Sequence, residues 1–321
     1  MRLFARWAWG VLAYDVAVVA WGAYVRATGA GAGCGRHWPT CNGEVLPRSP
    51  RVETLVELSH RVSSGGALLL TVGLCVAAFR IYPARHRVRR AAAAAVALMF
   101  AEALIGAGLV LFELVAHDAS LRRALSMSLH LVNTFLLLAS TALTAFWASG
   151  GGAPSWRGQR AISLALGAAL AAMLVVGTTG AITALGDTLF PAASLLAGVA
   201  QDFAPNAHAF VRLRAIHPAV AATTAAGIVL VCGFVRGLRP GRAVRRLSQA
   251  CAALAAAQVG LGLLDVVTRA PVTLQLAHLT LADAVWITLV LTAAASLAEA
   301  PSAKDSPSDS VGAQRGAFPA A

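Results

Sequence analysis

The chain has 321 residues, of which 58% are hydrophobic and only 12% are charged, and its mean hydropathy is +0.70. This composition excludes an ordinary soluble domain and is typical of an integral membrane protein. The formal net charge of +12 would suggest a nucleic-acid partner in a soluble chain. Here the arginines collect in loops between apolar segments, so we predict membrane lipids as their partners and no nucleic acid.

Eight segments are long and apolar enough to cross a hydrocarbon core of about 30 Å as helices, which takes about 20 residues each. We therefore predict an all-α polytopic membrane protein with eight transmembrane helices. The first segment resembles a cleaved signal in its basic start, but its apolar run is long for one, so we keep it as a helix. The segments run roughly over Trp7–Val25, Leu58–Phe79, Ala91–Val115, Ala124–Trp147, Ala161–Leu185, Ala215–Val235, Leu247–Val267 and Leu274–Leu297.

Most arginines lie at the start of the chain or in the loops that connect an even-numbered predicted helix to the next odd-numbered one. These parts of the chain all lie on the same side of the membrane. The positive-inside rule assigns that side to the cytoplasm. We therefore predict a plasma-membrane protein with both termini in the cytoplasm and the Arg26–Arg61 stretch outside. The arginines concerned are Arg2, Arg6, Arg80, Arg85, Arg87, Arg89, Arg90, Arg157, Arg160, Arg236, Arg239, Arg242, Arg245 and Arg246.

The second half of the chain repeats the first in weak but ordered form. GAYV at Gly22–Val25 is echoed by GAIT at Gly180–Thr183, and His217 follows His60 by 157 residues. Each half has an even number of helices, so the repeat is parallel and we predict two pseudosymmetric four-helix bundles. The predicted units are an N-terminal bundle (1–147), a cytoplasmic linker (148–160), a C-terminal bundle (161–299) and a disordered tail (300–321).

Four histidines lie near the starts of the even-numbered predicted helices: His60, His130, His217 and His278. Those helices all start on the outer side, so we expect the four side chains in one layer. Two histidines that face each other across a bundle can hold a porphyrin iron from both axial sides. Hydrogen bonds to neighbouring helices, or copper or zinc binding, remain alternatives. Two repeat-related pairs at one depth favour heme.

The first outer loop contains CGRHWPTC, with Cys34 and Cys41 separated by six residues. A disulfide can close so short a loop, and the outer side is oxidising. A zinc site that uses Cys34, His37 and Cys41 is the alternative, although no fourth ligand stands out nearby.

Glu57 precedes His60 by three residues and shares its face if the chain is helical from Val52 onward. The repeat offset carries Glu57 onto Arg214, so the halves read Glu-x-x-His and Arg-x-x-His. A carboxylate beside a porphyrin edge can move protons or stabilise positive charge, whereas an arginine suits a propionate. We therefore predict a reactive site in the first half and a resident cofactor in the second. Simple capping of the helix start by Glu57 is the alternative.

The run GAYVRATGAGAGCGRHWPTCNGEVLP, followed by VELSHR, resembles the signature of heme A synthases. The eight helices and their four histidines fit that family over nearly the whole chain apart from the tail. One departure is Ala30, where the family commonly has serine. The resemblance implies an enzyme that oxidises a methyl substituent of heme O to the formyl group of heme A, by successive hydroxylations, during assembly of terminal oxidases.

The resemblance also implies roles for single residues. Glu57 is the catalytic carboxylate, and Cys34 and Cys41 form a redox-active or structural pair. Implied partners are the substrate heme O, heme O synthase, terminal oxidase assembly proteins and an electron acceptor. The histidines take two roles, with His60 and His130 flanking the substrate heme and His217 and His278 binding a heme b.

A non-catalytic diheme protein, which shuttles electrons or hands heme onward, is the rival hypothesis. An electron carrier needs neither Glu57 nor the cysteine-bearing loop, so these features favour the enzyme. A transporter is disfavoured, because the helices lack paired Gly/Pro breaks at the midplane.

Overall fold

The computed structural model of the protein describes residues 1–298, which form nine α-helices, one short 3₁₀ turn and no β-strand. Eight of the helices are long and apolar enough to cross a membrane. This confirms the predicted all-α polytopic membrane protein. The predicted tail at 300–321 lies outside the described residues. The helices are α1 Arg2–Ala27, α2 Val52–Ile81, α3 Arg87–Leu111, α4 Leu121–Ala148, α5 Arg160–Leu189, α6 Leu195–Asp202, α7 Ala209–Leu238, α8 Arg242–Val267 and α9 Val272–Ser296.

The long helices extend beyond the apolar segments predicted for them. Helix α2 begins at Val52 where hydropathy indicated Leu58, and α7 begins at Ala209 where it indicated Ala215. Hydropathy detects only the part of a helix inside hydrocarbon, whereas the backbone stays helical through a further polar turn or two at the interface. The sequence analysis also missed α6, whose eight residues are too few to span a bilayer.

The eight long helices contact each other in two sets of four, each arranged as a ring, and the two sets contact each other through α1, α4, α5 and α9. Helices α1, α2, α3 and α4 form the first set, and α5, α7, α8 and α9 form the second. Helices α4 and α9 lie where the two sets contact each other. Half of the most apolar stretch of each is buried, compared with at most 28% in the other six long helices. The symmetry that would relate the two sets stays a prediction.

An aromatic pair joins α4 to α9. The rings of Phe135 and Trp286 stack with centroids 5.0 Å apart and an interplanar angle of 13°. The indole N–H of Trp286 donates to the backbone oxygen of Phe135 at 2.5 Å. An unpaired N–H inside hydrocarbon costs several kcal/mol, so this bond favours one arrangement of α4 against α9.

Replacing Trp286 by alanine should lower the stability of the whole bundle assembly by about 3 kcal/mol, because both the stacking contact and the packing volume between α4 and α9 are lost. Thermal unfolding of the purified protein in detergent measures the effect. Trp156 is 66% exposed, so Trp156→Ala is the matched control and should unfold at the wild-type temperature. Equal midpoints for the two variants would contradict the proposed importance of the pair.

Candidate functional site

The cysteine loop, defined here as residues 28–51, connects α1 to α2 and contains a disulfide between Cys34 and Cys41. The two Cα atoms are 4.3 Å apart and both cysteines are fully buried. Because the two sulfurs bond each other, they are not free to bind zinc together with His37. Within residues 1–298, no three His, Cys, Asp or Glu side chains converge as a metal-ligand group.

Glu57 and Arg61 attach the cysteine loop to α2. Oε2 of Glu57 accepts a hydrogen bond from the backbone N–H of Cys34 at 2.7 Å, and Oε1 accepts from Nε of Arg61 at 3.1 Å. Nη1 of Arg61 donates to the backbone oxygens of His37 and Thr40, each at 2.6 Å. Glu57 is only 3% exposed, so it does not act as a solvated cap of α2. The guanidinium of Arg61 offsets the cost of burying the carboxylate, and the two side chains together fasten both ends of the disulfide loop.

Gly33 lets the loop lie directly on the first turn of α2. A Cβ atom at this position would lie 2.6 Å from the backbone nitrogen of Thr54 and closer still to the carbonyl group of Glu53. The backbone oxygen of Gly33 also accepts a hydrogen bond from the Thr54 hydroxyl at 2.8 Å. The close backbone contact therefore requires glycine.

The four predicted histidines, called here the histidine layer, lie six to nine residues inside their helices. At 1.5 Å per residue this places them about 9 to 14 Å from the helix starts. Each start lies on the face that carries the cysteine loop, called here the cysteine-loop face. His60 and His130 belong to the first set of helices, and His217 and His278 belong to the second. That the two rings of each pair face each other stays a prediction.

Each histidine ring lies against a glycine of the long helix before it, a feature that the sequence analysis missed. These glycines leave room for the rings, and a Cβ would crowd three of the four. Interior helix glycines at corresponding places before each histidine were the available signal, and the repeated GA of GAYV and GAIT contains two of them. The distances from an added Cβ are 2.8 Å for Gly22 to His60 Cε1, 4.0 Å for Gly106 to His130 Nε2, 3.1 Å for Gly180 to His217 Cε1 and 2.9 Å for Gly262 to His278 Cε1.

The ring nitrogens differ in their partners. Nδ1 of His217 is 3.0 Å from the hydroxyl of Thr179, and Nε2 of His278 is 3.3 Å from the amide nitrogen of Gln258. Within residues 1–298, Nδ1 of His60, His130 and His278 are buried without a hydrogen-bond partner, although Nδ1 of His130 lies 3.0 Å from Oε1 of Glu102. A buried ring nitrogen without a partner is costly, and a bound group can satisfy it. Imidazoles with unpartnered ring nitrogens, and with glycine beside them where a larger residue would crowd three of the four rings, fit a heme, whose iron binds imidazole nitrogen.

Arg214, the repeat counterpart of Glu57, attaches the outer segment of the second half. Its Nε and Nη2 contact Oδ1 of Asp202 at 2.9 and 2.6 Å, and Nη1 contacts Oδ1 of Asp187 at 3.2 Å. Asp202 ends α6, so Arg214 holds α6 on α7 much as Glu57 holds the cysteine loop on α2. The guanidinium that sequence reasoning matched to a propionate is thus engaged by two carboxylates of the protein.

Arg26 connects the signature of the first half to the second half. Its Nη1 donates to the backbone oxygen of Ala184 at 2.9 Å and to the hydroxyl of Thr188 at 3.0 Å, and Nη2 donates to Oε1 of Gln275 at 2.8 Å. The sequence analysis gave this residue no role, because its partners lie about 160 to 250 positions away in the chain. Three uncharged acceptors bind the half-buried guanidinium.

Comparison with known proteins decides the family. The sequence profile of the COX15-CtaA family, described as cytochrome oxidase assembly proteins, matches residues 5–290. The chain belongs to this family. A Thermus thermophilus protein named protoheme IX farnesyltransferase is 49% identical over 293 residues, which cover 91% of this chain and 48% of that protein. The protein of the same name from a second strain of that species is similar to the same extent.

A second kind of relative is named heme A synthase. The protein of that name from Bacillus mycoides is 38% identical over 113 residues, 35% of this chain and 36% of its own length. Together with the family match, this confirms the resemblance to heme A synthases. The chain spans about half the length of the Thermus relatives.

In this family member, Gly33→Ala should push the cysteine loop off α2, because the added Cβ meets α2 backbone that cannot move. We expect faster reduction of the Cys34–Cys41 disulfide by a membrane-impermeant reductant, followed by thiol labelling. Gly31→Ala is the matched control, since its Cβ would make only ordinary 3.6 Å contacts with Val115. Equal reduction rates in the two variants would show that the contact at Gly33 does not protect the disulfide.

Proposed function

We propose that this family member acts as a heme A synthase, which oxidises a methyl group of heme O to the formyl group of heme A by successive hydroxylations. The observation that carries the proposal is a buried carboxylate, Glu57, one helical turn before His60 of the histidine layer. The family match and the relatives named heme A synthase support it. Formation of the formyl group removes four electrons and inserts one oxygen atom, so an electron acceptor is an implied partner.

The two histidine pairs take different parts in this proposal. His60 and His130 would flank the iron of the substrate heme O, and His217 and His278 would hold a heme b. The resident heme b, when bound, supplies one-electron transfer. The four imidazoles would bind both irons through ring nitrogens, and the glycines beside the rings would let the helices approach the porphyrin faces.

Glu57 is the proposed catalytic carboxylate. Its charge is held in a low-dielectric site and fixed by Cys34 N–H and Arg61, so it is preorganised and needs no rearrangement to act. A fixed negative charge stabilises positive charge that develops at the carbon being oxidised. The cysteine loop would then serve to position this carboxylate, which gives the disulfide a structural part in catalysis.

A non-catalytic diheme protein remains the second candidate, and one observation favours it. Both carboxylate oxygens of Glu57 are already engaged within the protein, as they would be in a residue whose task is to hold the loop. The charge-removing variant described below separates the two candidates.

Partners and location follow from the same proposal. The Thermus relatives carry the name of an enzyme that attaches a farnesyl group to protoheme IX, and this chain matches about half of their length. Heme O carries such a group, so we propose heme O synthase as a partner that supplies the substrate, and terminal oxidase assembly as the destination of the product. The proposed location is the plasma membrane, with both termini in the cytoplasm.

The heme b assignment predicts that His217→Ala and His278→Ala each abolish the low-spin heme spectrum of the resident cofactor. Absorbance spectra and porphyrin mass analysis of the purified variants measure the loss. His117 is exposed in the α3–α4 connection, so His117→Ala is the control and should keep the wild-type spectrum. Full heme content in both His217→Ala and His278→Ala would refute the assignment.

The catalytic assignment predicts that Glu57→Gln accumulates heme O or a partly oxidised product, with heme A formation about 100-fold slower, as for loss of one preorganised electrostatic group. Glutamine keeps the size of the side chain and can still accept from Cys34 N–H. Resident heme b and resistance of the disulfide to reductant serve as internal controls for folding. Near-normal heme A formation by this variant would favour the non-catalytic candidate.

A further inference from the structure

Glu102 of α3 makes the histidine layer electrostatically asymmetric. Oε1 of Glu102 is 3.0 Å from Nδ1 of His130. The contact is short, but its angle at the ring N–H is not that of a hydrogen bond. Asn133 donates to Oε2 at 2.5 Å and the hydroxyl of Thr134 donates to Oε1. All three partners belong to one stretch of α4, so the carboxylate is held in place beside the ring.

Among residues 1–298, the other three histidines of the layer have no carboxylate at a ring nitrogen. His217 is next to a hydroxyl, His278 is next to an amide, and Nδ1 of His60 has no partner in that part of the chain. Among the short contacts of carboxylates with basic side chains in residues 1–298, Glu102 with His130 is the one in which the basic side chain is a histidine. Glu102 therefore distinguishes the first-half pair from the second-half pair.

The ring of His130 lies along α3 between two positions one turn apart. Nδ1 lies at Glu102, while Nε2 lies over Gly106, where an added Cβ would be 4.0 Å away. A carboxylate at one ring nitrogen fixes the proton there and leaves the other nitrogen free to bind a metal. The carboxylate also makes that second nitrogen a stronger electron-pair donor to the metal.

We propose that Glu102 is a positioning residue for the heme O site, which holds the Nδ1 proton of His130 so that Nε2 is the nitrogen offered to the substrate iron. This inference rests on the proposed function and deepens it. His60, which lacks such a partner, is then the weaker of the two ligands. One firm and one weak imidazole ligand would suit a heme that must enter as substrate and leave as product.

Glu102 has a simpler alternative role as a structural link between α3 and α4. Its bonds to Asn133 and Thr134 already provide such a link. A structural link would affect folding, and with it both hemes alike. The positioning role affects only the ligand strength of His130, so the two roles differ in a spectroscopic readout at one site.

The test titrates purified protein that retains its resident heme with heme O and measures affinity, the electron paramagnetic resonance spectrum and the reduction potential of the added heme. Glu102→Gln keeps the side-chain size and can still accept from α4, but it removes the charge at His130. We expect heme O affinity about 10- to 100-fold weaker and a higher reduction potential, as for loss of an outer partner of a metal-binding histidine. The resident heme should keep its wild-type spectrum.

Two further variants keep the result decisive. Thr134→Val removes a competing donor from Oε1 without removing the charge, so the carboxylate should hold His130 more strongly and shift the potential in the opposite direction. This variant tests the proposal even if Glu102→Gln does not fold. Thr179→Val, the matched control in the other half, should change the resident heme and leave heme O binding unchanged.

Wild-type affinity, spectrum and potential for heme O in Glu102→Gln would overturn the positioning role, as would an unchanged potential in Thr134→Val. Failure of the proposed function has a different signature. If His60→Ala and His130→Ala both bind heme O as the wild type does, this pair is not the substrate site, and the function assigned to it is wrong together with the inference.

Discussion

The buried ion pair between Glu57 and Arg61 is the interaction on which the candidate site depends. A carboxylate and a guanidinium at this depth are stable only together and only with their remaining polar atoms bonded. The backbone groups of Cys34, His37 and Thr40 supply those bonds. The loop that contains the disulfide is thereby attached to the helix that carries His60, and any change in one is transmitted to the other.

The second half uses the same positions for a different contact. Arg214 replaces Glu57 in the repeat, and the position of Arg61 is taken by Pro218, which lies inside α7 directly after His217. Arg214 therefore finds its carboxylates on neighbouring segments, at Asp187 and Asp202. In both halves an outer segment is fastened to the histidine-bearing helix by buried charge, but only the first half holds a carboxylate on that helix. The difference agrees with the proposal that chemistry occurs in the first half.

The histidine layer depends on the interior glycines that lie beside its rings. Helices in lipid approach closely where residues are small, because no hydrophobic force drives them together. Gly22, Gly180 and Gly262 allow that approach at the level of the rings. The rings then occupy the space beside these glycines, where a porphyrin could pack against them. The packing of the bundle is in this way linked to its proposed cofactor and substrate.

The sequence by itself determined the eight membrane segments, the family and the likeness of the halves, since these depend on composition and order along the chain. It also singled out Glu57, the cysteine pair and the four histidines, because reactive side chains are rare in apolar helices. The partners of those side chains were decided by the tertiary structure. Arg61 was visible beside Glu57, but its bonds to His37 and Thr40, the contact of Glu102 with His130 and the reach of Arg26 to Gln275 all join residues far apart in the chain. Buried polar groups take their partners from whichever helices packing brings close, and a pattern along one helix does not contain that information.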